Sequence, residues 1–94
     1  MDDLKKETSI KFHGIQVKNV IITHLRRTSG ASTIEKLDVS TTKYERDLSI
    51  ETINVQIVAE YVTITYYKDE DSNKIINREL IPTHSIEHIM VRDI

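Results

Sequence analysis

The stretch Thr52-Ile53-Asn54-Val55-Gln56-Ile57-Val58-Ala59-Glu60-Tyr61-Val62-Thr63-Ile64-Thr65-Tyr66-Tyr67 decides the fold class. Most of its residues are β-branched or aromatic, stiff at χ1 and well suited to a pleated surface. Ile53, Val55, Ile57, Ala59 and Tyr61 share one parity, and Val58, Val62, Ile64 and Tyr66 take the other. Read as one extended element, the stretch is apolar on both faces. That pattern predicts a central strand buried on two sides, or one that curves and changes sheet as barrel strands do. Ile57, Val58 and Ile64 are accordingly expected in the core.

The same bias runs through the whole chain. About a third of its 94 residues are Ile, Val or Thr, while Ala and Leu together supply seven. The residues that favour helices are therefore scarce. The expected fold is all-β, or β-dominated α+β, in one domain spanning residues 1–94. It is pictured as a small antiparallel barrel or curved sheet of about five or six strands with at most one or two short helices.

Residues 1–7 are charged and aperiodic, and are expected to form a flexible lead-in. Thr8 to Phe12 alternates as a strand, and Gly14 permits a turn or bulge. Ile15 to Arg27 is strand-like but changes face at Lys18-Asn19, which fits a bulge or a tight turn. Thr28 to Thr33 reads as a loop of small residues. Ser32 and Glu35 form a capping-box pattern ahead of about one helical turn, while Leu37 to Thr41 fits an edge strand. A second such pattern, Thr42 with Glu45, precedes a short helix over Lys43 to Leu48. Lys68 to Lys74 reads as a polar hairpin loop, with Ile75 to Ile81 returning as a strand. Pro82 breaks that strand, and Ile86 to Val91 closes the chain.

Composition narrows the functional classes. There is no cysteine, so neither disulfides nor thiolate metal sites enter. The formal net charge of −2, with both signs interspersed, argues against nonspecific nucleic-acid binding, which favours basic surfaces. No stretch reaches the length of a transmembrane helix, and the charged opening lacks a signal-peptide apolar region. A cytoplasmic protein without a membrane partner is expected. Frequent Ile, Lys, Asn and Asp with few Gly, Pro and Ala suit an AT-rich genome, as of a bacterium or phage.

Chemistry-bearing patterns are few. His24, Arg26 and Arg27 stand at a strand end beside a small-residue loop that includes Ser29 and Gly30. Two guanidinium groups near accessible backbone N–H groups suit capture of an anion. His84 and His88 are four apart, but in a strand that spacing is about 13 Å, and no third ligand is apparent, so no metal or other cofactor is expected. The Asp69-Glu70-Asp71 run lacks the spacing of a calcium loop. Serine-nucleophile motifs are absent. Tyr44, Tyr61, Tyr66 and Tyr67 are the large amphipathic side chains. Tyr66 and Tyr67, with Ile86, His88 and Met90 of the last strand, are the expected interface residues.

The carboxy-terminal third, from Asn77-Arg78-Glu79-Leu80-Ile81-Pro82 through Thr83-His84-Ser85 to Ile86-Glu87-His88-Ile89, resembles the strand, turn and strand that end SH3-like and Sm-like small barrels. Within these it is similar to the bacterial Sm-like RNA chaperone family. That resemblance implies a small barrel, and places His84 where the family has a histidine that helps bind RNA. The lysine expected before that histidine is Thr83 here.

These features point to a non-enzymatic, self-associating module that binds a protein partner. With only one Phe and no Trp, its core is thin, and an apolar last strand needs cover. The alternative is an oligomeric binder of an anionic ligand, a nucleotide or short RNA, through His24, Arg26, Arg27, Ser29, Gly30 or His84.

Overall fold

A computed structural model describes residues 8–40 and 49–94. The lead-in expected for residues 1–7, the short helix expected over residues 43–48 and Tyr44 lie outside the described residues. The order is β1 Ser9–Phe12, β2 Ile15–Val17, β3 Asn19–Thr28, β4 Ala31–Ser40, β5 Thr52–Val58, β6 Tyr61–Asp69, β7 Lys74–Pro82, a 3₁₀ turn Thr83–Ser85, and β8 Ile86–Arg92. The fold is all-β. Its strands form a five-stranded sheet, β2-β1-β5-β6-β7, and a three-stranded sheet, β4-β3-β8, not closed into a barrel.

The decisive stretch is a hairpin rather than one strand. Ala59 takes a positive φ of 53°, the sign that a type II′ turn requires of its first central residue. β6 then folds back on β5, pairing Ile53 with Tyr66, Val55 with Ile64 and Ile57 with Val62. A two-residue turn joins odd positions to even ones, so the two apolar parities of the sequence fall on the same face. Ile53, Val55, Val62 and Ile64 are fully buried there. This corrects the expectation that Ile57 and Val58 are core residues: at the turn end they are 41% and 51% exposed, whereas Ile64 is 0% exposed.

Three further hairpins, β1–β2, β3–β4 and β6–β7, join consecutive strands. His13 and Gly14, with φ of 52° and 79°, form the turn between β1 and β2, both signs being those of type I′. The imidazole Nε2 of His13 accepts the Ile57 backbone N–H at 3.1 Å. Ser29-Gly30 joins β3 to β4, with Gly30 at φ 78°. Residues 31–33, expected in a loop, and 33–37, expected as a helical turn, belong to β4, whose register with β3 runs without a break from Asn19↔Ser40 to Thr28↔Ala31. At Lys18 the chain leaves one sheet for the other, so the face change there is neither a bulge nor a hairpin turn.

One pairing departs from the antiparallel expectation: β1 runs parallel to β5. Parallel neighbours need a long connection, and here the β3–β4 hairpin of the opposite sheet lies between them in the chain. The polar loop after β6 is as expected. Asp69 accepts the backbone N–H groups of Asp71 at 3.1 Å and Ser72 at 3.4 Å, and its hydrogen bonds with Ser72 hold its carboxyl below the ordinary value.

Both sheets contribute to one core. Val20, Ile22 and Val39 of the three-stranded sheet meet Ile10, Ile53, Val55, Val62 and Ile64 of the other, with Leu37, Ile81, Ile89 and Val91 packed at the margin. Expected outcomes in urea unfolding follow. Ile64→Ala loses about 2–4 kcal/mol through transfer and cavity terms, while Val58→Ala loses less than about 1 kcal/mol. Ala59→Gly gains about 0.5–1 kcal/mol, because glycine removes the steric cost of positive φ at some cost in unfolded-chain entropy.

Candidate functional site

The inward parity of the strands is apolar at one end of the molecule and charged at the other. On β3 it runs Val20, Ile22, His24, Arg26; on β4, Val39, Leu37, Glu35. On β7 it runs from Ile81, opposite Val62, to Glu79, opposite Ile64. Where these positions are apolar the sheets close on a core. Where they become charged the sheets stand apart, because desolvating those groups would cost more than closure returns. The result is a cleft of about 670 Å³ lined by His24, Arg26, Arg27 and Glu35 on one wall and Glu79, Ile81 and His84 on the other. That volume lies within the usual range for ligand pockets.

The structure thus brings together four residues singled out by sequence in two separate stretches: His24, Arg26, Arg27 and His84. Ser29 and Gly30 are not among the lining residues; they form the exposed tip of the β3–β4 hairpin. Glu35 and Glu79, with apolar Leu37, Leu80 and Ile81, line the cleft without having been apparent as site residues. Their only signal in the sequence is that Glu35 and Glu79 occupy positions of inward parity.

The charges are partly committed. Arg26 Nη1 lies 3.2 Å from Glu35 Oε2 and 3.5 Å from Oε1, a diagonal cross-strand pair, since Glu35 stands opposite His24. The Tyr66 hydroxyl donates to Glu79 Oε1. Arg27 makes no hydrogen bond or ion pair with the described residues. His24 is half-buried and His84 exposed in the 3₁₀ turn. That turn is fixed by Ser85 Oγ, which donates to the Pro82 carbonyl at 2.8 Å. Arg27 lies at the cleft's rim with the outward parity of β3, so the cleft can offer two imidazoles and the Glu35-paired guanidinium of Arg26 to a ligand, beside aliphatic walls.

The expected interface residues separate. Tyr66 is a correction: at 7% exposure it belongs to the core, because the β5–β6 hairpin turns its parity inward. Tyr67 and Ile86 are half-buried, and His88 is exposed on β8. Met90 is 41% exposed. Among the described residues no group of three or more His, Asp or Glu side chains is placed to hold a metal ion. Nor is any described helix long and apolar enough to cross a membrane. No family model, curated protein or solved structure matches this chain.

The cleft wall gives a direct check. Tyr66→Phe is expected to cost about 1–3 kcal/mol in urea unfolding, since it removes a hydrogen bond to a charged acceptor. Glu35→Gln, which breaks an exposed ion pair, is expected to cost less than about 1 kcal/mol.

Proposed function

We propose that this chain is a non-enzymatic interaction module that associates with itself and engages a protein partner, in the cytoplasm of a bacterium or in a phage-infected cell. The observation that carries this reading is the open edge of β8, which has β3 on one side and no described strand on the other. An open edge presents unpaired N–H and C=O groups and is a template for another chain. β8 is also apolar: Ile86, Ile89 and Val91 face the core margin, and Met90 faces out. Pairing with a second copy across a two-fold axis covers this edge, and closed cyclic symmetry is the common outcome for such contacts. Ile86, His88 and Met90 are then the contact residues, with Tyr67 available to a further partner.

Kinship with SH3-like and Sm-like small barrels is part of the reading. Its support is local: β7, the 3₁₀ turn at Thr83–Ser85 and β8 follow one another as in those endings.

A second reading, an oligomeric binder of a nucleotide or short RNA, is favoured by one observation, the presence of His24, Arg26, Arg27 and His84 in the same cleft. Its mark is salt: phosphate contacts weaken steeply as counterions are added.

Sedimentation velocity across the micromolar range tests the first reading. A dimer or higher ring is expected, with Met90→Lys shifting it at least tenfold toward monomer. A constant mass of 10.9 kDa at all concentrations rejects self-association.

A further inference from the structure

β7 is an edge strand at the mouth of the cleft, and every residue from Lys74 to Leu80 is exposed. The Thr83 backbone N–H donates to the Glu60 carbonyl at 2.8 Å, and Ile81 and Glu79 stand opposite Val62 and Ile64 in the same register. Alternate residues of an antiparallel ladder turn their N–H and C=O groups to the same neighbour. Ile81 and Glu79 therefore bond toward β6. Arg78 and Leu80 turn theirs to the open side, where no described strand lies. Pro82 shares that direction, so its missing N–H leaves the β6 ladder intact. The register breaks beside Asn77, which leaves a regular open edge from Asn77 to Pro82, about 20 Å long.

The inner row of this edge is Asn77, Glu79 and Ile81. Glu79 accepts the Tyr66 hydroxyl through Oε1, and a neutral donor leaves the carboxylate its charge. No described cation pairs with it. Across the cleft the inward side chains are His24 and Arg26 of β3 and Glu35 of β4. There the Arg26 guanidinium is matched by Glu35 at 3.2 Å. The other nearby cations point elsewhere: Arg27 has the outward parity of β3, and Arg78, opposite Thr65, belongs to the outer face of its own sheet. Among the inward carboxylates and guanidinium, Glu79 alone is left unmatched. The cleft's uncompensated charge is negative, and Leu37 and Ile81 put aliphatic surface beside it.

We propose that the cleft receives an extended peptide, added as a further strand along Asn77 to Pro82, with a lysine or arginine beside Glu79 and an aliphatic side chain two residues away beside Ile81. This rests on the interaction-module reading and specifies the chemistry of its partner. Main-chain hydrogen bonds to Arg78 and Leu80 hold the peptide, and its inner side chains set the preference. In an antiparallel addition the residue opposite Glu79 occupies a non-hydrogen-bonded pair, where side chains stand closest. Opposite charges so placed attract, and like charges repel.

The test uses the full chain and two capped, fluorescein-labelled decapeptides of alternating threonine and valine, in which one central valine is replaced by lysine or by glutamate. Fluorescence anisotropy is expected to show the lysine peptide binding at least about fivefold more tightly. Amide resonances of Arg78, Glu79 and Leu80 are expected to shift as it binds. Glu79→Gln keeps an acceptor for the Tyr66 hydroxyl and is expected to bring the two peptides within about twofold of each other. Leu80→Pro removes an outward N–H without touching the β6 ladder and is expected to weaken the lysine peptide at least about tenfold. Glu79→Gln leaves the backbone alone, so the proposal does not depend on the proline variant folding. Equal affinity for the two peptides, a preference for glutamate, or no binding of either overturns it. A lysine preference that survives Glu79→Gln, or unchanged binding by a folded Leu80→Pro variant, does the same. Binding of oligouridylate with no response to either peptide also overturns it and assigns the cleft to nucleic acid. Self-association is judged separately by sedimentation. A monomer that binds the lysine peptide contradicts only the β8 contact, and an oligomer that binds neither peptide contradicts only this proposal.

Discussion

The rest of the structure depends on the two-residue turn at Ala59-Glu60. Without it, residues 52–67 form a strand with apolar side chains on both faces and nothing of comparable length to cover either. With it, the odd positions of β5 and the even positions of β6 become cross-strand partners, and one continuous face carries Ile53, Val55, Val62 and Ile64. That face is the floor on which Val20, Ile22 and Val39 pack from the other sheet. A core made almost wholly of Ile and Val suffices because one sheet concentrates its apolar side chains on a single side.

The same pleat logic produces the cleft. Two strands that line it continue their inward parity past the core, with His24 and Arg26 on β3 and Glu35 on β4 in place of aliphatic residues, and the edge strand β7 sets Glu79 beside core Ile64. Charged groups that retain water keep the sheets apart. The cleft is thus the continuation of the interior, opened by a change of residue type at unchanged geometry. Its two ends of the chain meet because β3 pairs with β8, which brings the 3₁₀ turn and His84 beside the middle of β3.

All-β character was legible in the sequence because the β-branched bias is a local, per-residue preference that pairing does not alter. The loop at residues 68–74 and the last strand were legible for the same reason. The central hairpin was not, because Ala59-Glu60 lacks the glycine or asparagine that announces a two-residue turn; alanine accepts positive φ there because the ladders on either side fix it. β4 was obscured differently: Ala31 to Ile34 are all exposed, so their extended state is set by hydrogen bonding to β3 rather than by a buried face. His24, Arg26, Arg27 and His84 were identifiable as residue types suited to anions, but that they share one wall-to-wall cleft follows only from the β3–β8 pairing. Tyr66 was misplaced because its parity has no meaning until the turn before it is known.

The hairpin is most directly tested by nuclear Overhauser contacts between backbone α-protons in the folded chain. Val55 and Ile64 are direct cross-strand partners, so a strong contact between their α-protons is expected, with another between Ile57 and Val62. In a single strand running from Thr52 to Tyr67, Val55 and Ile64 stand about 30 Å apart. Absence of both contacts, with sequential contacts unbroken through Ala59 and Glu60, would contradict the account.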